Sequence, residues 1–157
     1  MTTPASIKKH PVHPMLVPFP IGLWIFSLIC DVIYAFQWGG ALWKDIAFVS
    51  MVGGVLGALL AAVAGYLDYR SITAPEVRRI GWWHMILNLS VTVLFAINLW
   101  LRAVTGMEAV LPVLLSLVGV SLLGISGWLG GELVYVHGVA VEPQTKPSRG
   151  RERNYAA

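Results

Sequence analysis

Four apolar runs set the pattern of this chain: Met15 to Phe36, Ile46 to Leu67, Ile80 to Leu101 and Ala109 to Val136. Each contains at most one formal charge, and a helix rising 1.5 Å per residue over such a length crosses the roughly 30 Å hydrocarbon layer of a bilayer. Short polar links separate them. Gln37 to Asp45 carries a glycine pair with Trp38 and Trp43, Asp68 to Arg79 carries Pro75 and three arginines, and Arg102 to Glu108 carries Gly106. Links this short join antiparallel neighbours. The pattern predicts an all-α integral membrane four-helix bundle running up-down-up-down, with spans at 15–36, 46–67, 80–101 and 109–136. An N-terminal segment, 1–14, precedes them, and a flexible tail, 137–157, follows, its part beyond Val141 rich in Pro, Arg, Ser and Gln without apolar periodicity. No internal repeat is visible in the residues.

Composition turns this pattern into a statement about solvent. Of the 157 residues 57% are hydrophobic and 12% charged, about half the charged share of an average soluble domain. So few polar positions cannot cover four such runs in water, and a lipid bilayer must do so. Lys8 and Lys9 before the first run resemble the start of a signal peptide, but the run is long for a signal core, contains Asp31 and ends in bulky residues, so it is expected to remain as the first span. Cys30 lies alone in an apolar run and reads as a small buried side chain.

Charge sets the expected orientation. Lys8, Lys9, Arg70, Arg78, Arg79, Lys146, Arg149, Arg151 and Arg153 fall on the face that holds both termini, and only Lys44 and Arg102 on the other. Cationic loops resist translocation, so both termini are expected in the cytoplasm and the protein in the cell inner membrane. The net charge of +3 then reflects topology and attraction to anionic head groups, and nucleic acid is not an expected partner. Trp38, Trp43, Trp82, Trp83 and Trp100 sit near the expected interfaces, as anchors.

Within the spans, Gly53, Gly57, Ala61 and Gly65 recur every fourth residue and place small side chains on one helical face, where a neighbouring helix can approach closely. Gly124, Gly127, Gly130 and Gly131 form a similar set in the fourth span. Packing inside the bundle is the expected use of both, ahead of dimerisation. Asp31 lies deep in the first span, where an exposed charge is costly. It is expected to tie helices together through Ser27, Tyr34 or Asn98, with a proton or ligand site as the alternative.

The candidate chemistry lies at the other end. Alternating spans bring to one face His10 and His13 before the first span, Asp68 at the end of the second, His84 one turn inside the third and His137 at the end of the fourth. Asn88 lies one turn beyond His84, and Glu132 lies just inside the fourth span. Imidazoles with a carboxylate are nitrogen and oxygen ligands of zinc and iron, so His13, Asp68, His84 and His137 are candidate ligands of a divalent metal ion, with Asn88 and Glu132 orienting them. Opposed histidines, His13, His84 and His137, could instead hold a haem b iron in an electron-transfer protein with a membrane redox partner. The competing reading is a non-catalytic subunit or scaffold, alone or as a homo-oligomer, whose histidines only close helix ends. There is no HExxH and no CxxCH, and no triad suggests nucleophilic catalysis.

These same residues carry a resemblance. The blocks His10-Pro11-Val12-His13-Pro14-Met15-Leu16-Val17-Pro18-Phe19-Pro20, Gly65-Tyr66-Leu67-Asp68-Tyr69, His84 with Asn88, and Gly130-Gly131-Glu132-Leu133-Val134-Tyr135-Val136-His137-Gly138-Val139 resemble a bacterial membrane family known as domain of unknown function 2231. The resemblance implies a small four-helix membrane protein, in some related chains joined to redox domains such as a Rieske type. With Cys30 its one cysteine, this chain has no cysteine set for an iron–sulfur cluster.

Overall fold

The structure is a computed structural model that describes residues 3–105 and 110–141. The tail positions Lys146, Arg149, Arg151 and Arg153, and Gly106 to Ala109 between the last two spans, lie outside the described residues.

The chain enters through a small hairpin, β1 (Ser6–Ile7) and β2 (His10–Pro11), with Ser6 opposite Pro11 and Ile7 opposite His10. Its two-residue turn needs positive φ at both positions, and Lys8 (φ 49°) and Lys9 (φ 70°) supply it without glycine. Helix α1 (Val12–Leu16) runs almost directly into α2 (Pro18–Ala35). Pro18 and Pro20 lack the N–H groups that would bond to the carbonyls of Pro14 and Leu16, so the two segments form one span with a weakened first turn. At the far end Gln37 adopts φ 59°, and Trp38 N–H donates to the Ile33 carbonyl at 3.1 Å, a left-handed stop that turns the chain.

Helices α3 (Leu42–Arg70), α4 (Pro75–Thr105) and α5 (Val110–Gly131) follow, and a π-helical turn at Glu132–Val136 prolongs the last. Pro75 opens α4 at a position where a missing N–H costs nothing. All four long helical segments are apolar enough to cross a membrane, and a third or less of the most apolar stretch of each is buried within the protein. Leu56, Leu60, Val63, Val93, Leu114 and Ile125 project outward. An outer surface of this kind requires lipid as solvent.

The interior is narrow and closely packed. Trp24 stacks on Phe95 with ring centroids 4.3 Å apart and planes within 6°, and Met51, Val91 and Leu123 pack around them. Small residues make the approach possible. A Cβ at Gly57 would lie 3.3 Å from Pro20 Cδ, one at Gly53 3.1 Å from Leu23 Cδ1, and one at Gly54 or Gly119 would collide with Trp24 or Phe95. The Gly53–Gly57–Ala61–Gly65 face therefore seats the first span, as expected. The fourth-span set behaves differently: a Cβ at Gly124 or Gly127 meets nothing within 4 Å, and the close approaches in α5 occur at Gly119 and Gly130.

Asp31 has a partner that the expected helix boundary concealed. α4 runs to Thr105, so Arg102 lies inside it, 2% exposed, and not in a link. Its guanidinium grips Asp31 with two parallel bonds, Nη1 to Oδ1 at 2.7 Å and Nη2 to Oδ2 at 2.6 Å. Arg102 Nε donates to Asn98 Oδ1 at 3.2 Å, and Asn98 Nδ2 donates to Ser116 Oγ at 2.9 Å and to the Pro112 carbonyl at 2.8 Å. Ser27 donates elsewhere, to the Ala47 carbonyl at 2.8 Å. Asp31 does tie helices together, but its partner is the unforeseen Arg102, and of the expected partners Asn98 enters the network only by way of Arg102.

Candidate functional site

At the opposite end of the bundle, two histidines are seated in the same manner on two different helices. His13, from α1, has Nδ1 2.8 Å from the Ala61 carbonyl of α3. The ring comes this close because Gly65 lies one turn further along α3: a Cβ there would stand 2.8 Å from His13 Cε1 and Nδ1. His84, from α4, has Nδ1 3.0 Å from the Ser126 carbonyl of α5, with Ser126 Oγ at 3.3 Å. The corresponding notch is Gly130, where a Cβ would lie 3.1 Å from His84 Cε1.

These contacts fix the tautomers. A carbonyl oxygen only accepts, so each Nδ1 carries a proton and donates it, and in the neutral form of either ring the lone pair lies on Nε2. The two rings meet with centroids 6.3 Å apart and planes at 88°. Asn88, one turn beyond His84, donates from Nδ2 to the His84 carbonyl at 2.8 Å and lies 3.2 Å from His84 Nε2. Two imidazole rings and a carboxamide thus lie together where the first and third spans begin.

The other expected members stand apart from this pair. Asp68 is buried at the end of α3, where Oδ1 accepts the Ala5 N–H at 3.0 Å and fastens the N-terminal hairpin, while Oδ2 has no partner among the described residues. His137 ends the π-helical turn, its Nε2 3.9 Å from Glu132 Oε1. His10 is exposed and bonds through Nδ1 to the Lys8 carbonyl at 2.9 Å. Among the described residues no three or more His, Cys, Asp or Glu side chains form a group that could hold a metal ion. The expected set of His13, Asp68, His84 and His137 is therefore not one centre. Residues at one depth along the membrane normal need not lie at one azimuth around the bundle.

The residues that build the seats carry no functional side chain of their own. Gly65 and Gly130 read in the sequence as packing positions, and the accepting carbonyls of Ala61 and Ser126 leave no mark there. The available signal was the spacing, a small residue four positions before each glycine, which exposes a carbonyl beneath an open notch.

The long apolar helices agree with what comparison of the sequence finds. A family model described as a predicted membrane protein, DUF2231, matches residues 9–143. The chain belongs to DUF2231. That match spans the histidine pair, both glycine notches and the Asp31–Arg102 ion pair of this DUF2231 protein. No curated protein and no solved structure matches the chain.

Proposed function

We propose that this DUF2231 protein binds a single transition-metal ion between His13 and His84, on the cytoplasmic side of the cell inner membrane. The observation that carries the reading is the pairing itself: both Nδ1 protons are committed to backbone carbonyls, which leaves the Nε2 lone pairs as the ligand atoms, that of His84 now accepting from Asn88 Nδ2 at 3.2 Å, on rings 6.3 Å apart. With metal–nitrogen bonds of about 2.0–2.1 Å, two imidazoles on one ion place their ring centroids roughly 5 Å apart at a tetrahedral angle and roughly 6 Å apart in line, so the rings stand at the wide end of this range. An imidazole whose Nδ1–H is held by a carbonyl is the usual form of a metal-bound histidine. Asn88 would supply the third ligand by turning its amide so that Oδ1 faces the ion, with water as the fourth. Two imidazoles and an amide oxygen suit zinc, copper, iron or nickel.

A bare ion fits this reading better than a haem. An ion asks that one amide turn over and give up its bond to the His84 carbonyl, whereas a porphyrin needs a slot between the helices. The cytoplasmic placement rests on the basic residues. Of the two on the opposite face, Arg102 is consumed by Asp31 and Lys44 lies over the Tyr34 ring, 4.1 Å from its centroid, which leaves little positive charge on that surface.

Elemental analysis and visible absorption of the purified full-length protein test the proposal. About one metal ion per chain is expected, lost in His13→Ala and in His84→Ala and retained in His10→Ala and His137→Ala. Colourless protein that stays metal-free after incubation with zinc, cobalt and copper would overturn it in favour of the scaffold reading, in which the histidines only fasten α1 to α3 and α4 to α5.

A further inference from the structure

Three contacts along the middle of the bundle join residues at one constant separation. Asp31 and Arg102 are 71 residues apart and form the buried ion pair. Trp24 and Phe95 stack at the same separation, and His13 meets His84 at the same separation again. Ser27 and Asn98 follow suit, each donating to a carbonyl near the start of the next helix, Ala47 for one and Pro112 for the other.

The receiving helices share a register too. Gly54 is the notch for Trp24 as Gly119 is for Phe95, and Gly65 is the notch for His13 as Gly130 is for His84. The step from Gly54 to Gly65 equals that from Gly119 to Gly130. Residues that touch their own counterparts lie on a two-fold axis, as they do at an isologous interface. The histidines stand at the starts of their spans and the ion pair near the ends, so the axis runs along the bundle, the relation found between parallel repeats in membrane proteins.

We infer that the chain is two copies of one two-helix unit, α1–α3 and α4–α5, and that the site between His13 and His84 lies on their common axis, so that either copy can supply its third ligand. The second part rests on the proposed ion-binding reading. Asn88 follows His84 by four residues, and its counterpart Val17 follows His13 by four; both are half-buried, and Val17 offers no ligand atom. The occupant is a first-row transition-metal cation bound by two equivalent imidazoles and one amide oxygen. The amide's side of the axis is a matter of sequence and not of geometry.

Titrating the full-length protein with cobalt(II), followed by its visible absorption, tests this. His13→Ala and His84→Ala each abolish binding, Asn88→Val weakens it about 10- to 100-fold, and moving the amide across the axis in Val17→Asn/Asn88→Val restores most of that loss. A double variant as weak as Asn88→Val, with both histidines still essential, overturns the axial site and leaves the ion-binding reading standing. Wild-type protein that binds no cobalt removes both. The two-fold relation has its own measurement: Asp31→Arg and Arg102→Asp each lower the melting temperature in detergent, and the exchanged pair Asp31→Arg/Arg102→Asp recovers most of the loss. No recovery overturns the two-fold relation itself.

Discussion

At the scale of single residues, the protein places its polar groups where backbone or an opposite charge can receive them. Removing one member of a buried ion pair leaves the other without compensation, at a typical cost of about 3–5 kcal/mol, whereas replacing both by apolar residues is often tolerated. Arg102→Leu should therefore lower the melting temperature of the protein in detergent sharply, and Asp31→Leu/Arg102→Leu much less. Equal losses in the single and double variants would show that the two side chains do not act as a pair. Asp31 announced itself in the sequence as a charge in an apolar run, but its partner did not. Arg102 follows the last residue of the apolar window, and a boundary drawn from hydropathy puts it in the link, although the helix continues to Thr105. Hydropathy marks where lipid contact ends, and hydrogen bonding carries the helix further.

At the scale of elements, close approach is set by glycine. The face that seats the first span was legible because its small residues recur at the helical period. The used and unused glycines of α5 were not, since composition does not say which side of a helix meets a neighbour. Gly57→Leu should lower the melting temperature well beyond Leu56→Ala, because a side chain at Gly57 runs into Pro20 while Leu56 is 58% exposed on the outer surface. Indistinguishable melting curves would remove the packing argument. The same physics governs the histidine seats. Gly65→Leu should displace His13 from the Ala61 carbonyl, so a lost metal ion with retained helicity by circular dichroism is expected. Retention of the metal in that variant would show that the notch does not position the ring.

At the scale of the whole molecule, the number of spans and their alternation were legible because lipid imposes a strong and simple pattern. The shared depth of His13 and His84 followed from that alternation, since both stand at the start of parallel spans. The separate fates of Asp68 and His137 did not follow, because alternation fixes depth and leaves azimuth open. The repeat was illegible for a different reason: few of its paired positions keep their residue, as His13 with His84 and Gly65 with Gly130 do, while others exchange chemistry, as Asp31 does with Arg102. Topology reporters fused at each terminus should both read cytoplasmic, given nine basic residues on that face and two on the other. A periplasmic signal from the C-terminal reporter would reverse the placement of the histidine pair.

The central claim is that two equivalent imidazoles share one ion, and pulsed electron paramagnetic resonance of the copper(II)-loaded full-length protein addresses it most directly. Modulation from the remote ring nitrogens counts the bound imidazoles. The account predicts two per copper in the wild-type protein, one or none after His13→Ala or His84→Ala, and two after His137→Ala. A wild-type spectrum with no imidazole modulation, or one unchanged by either of the first two substitutions, would contradict it.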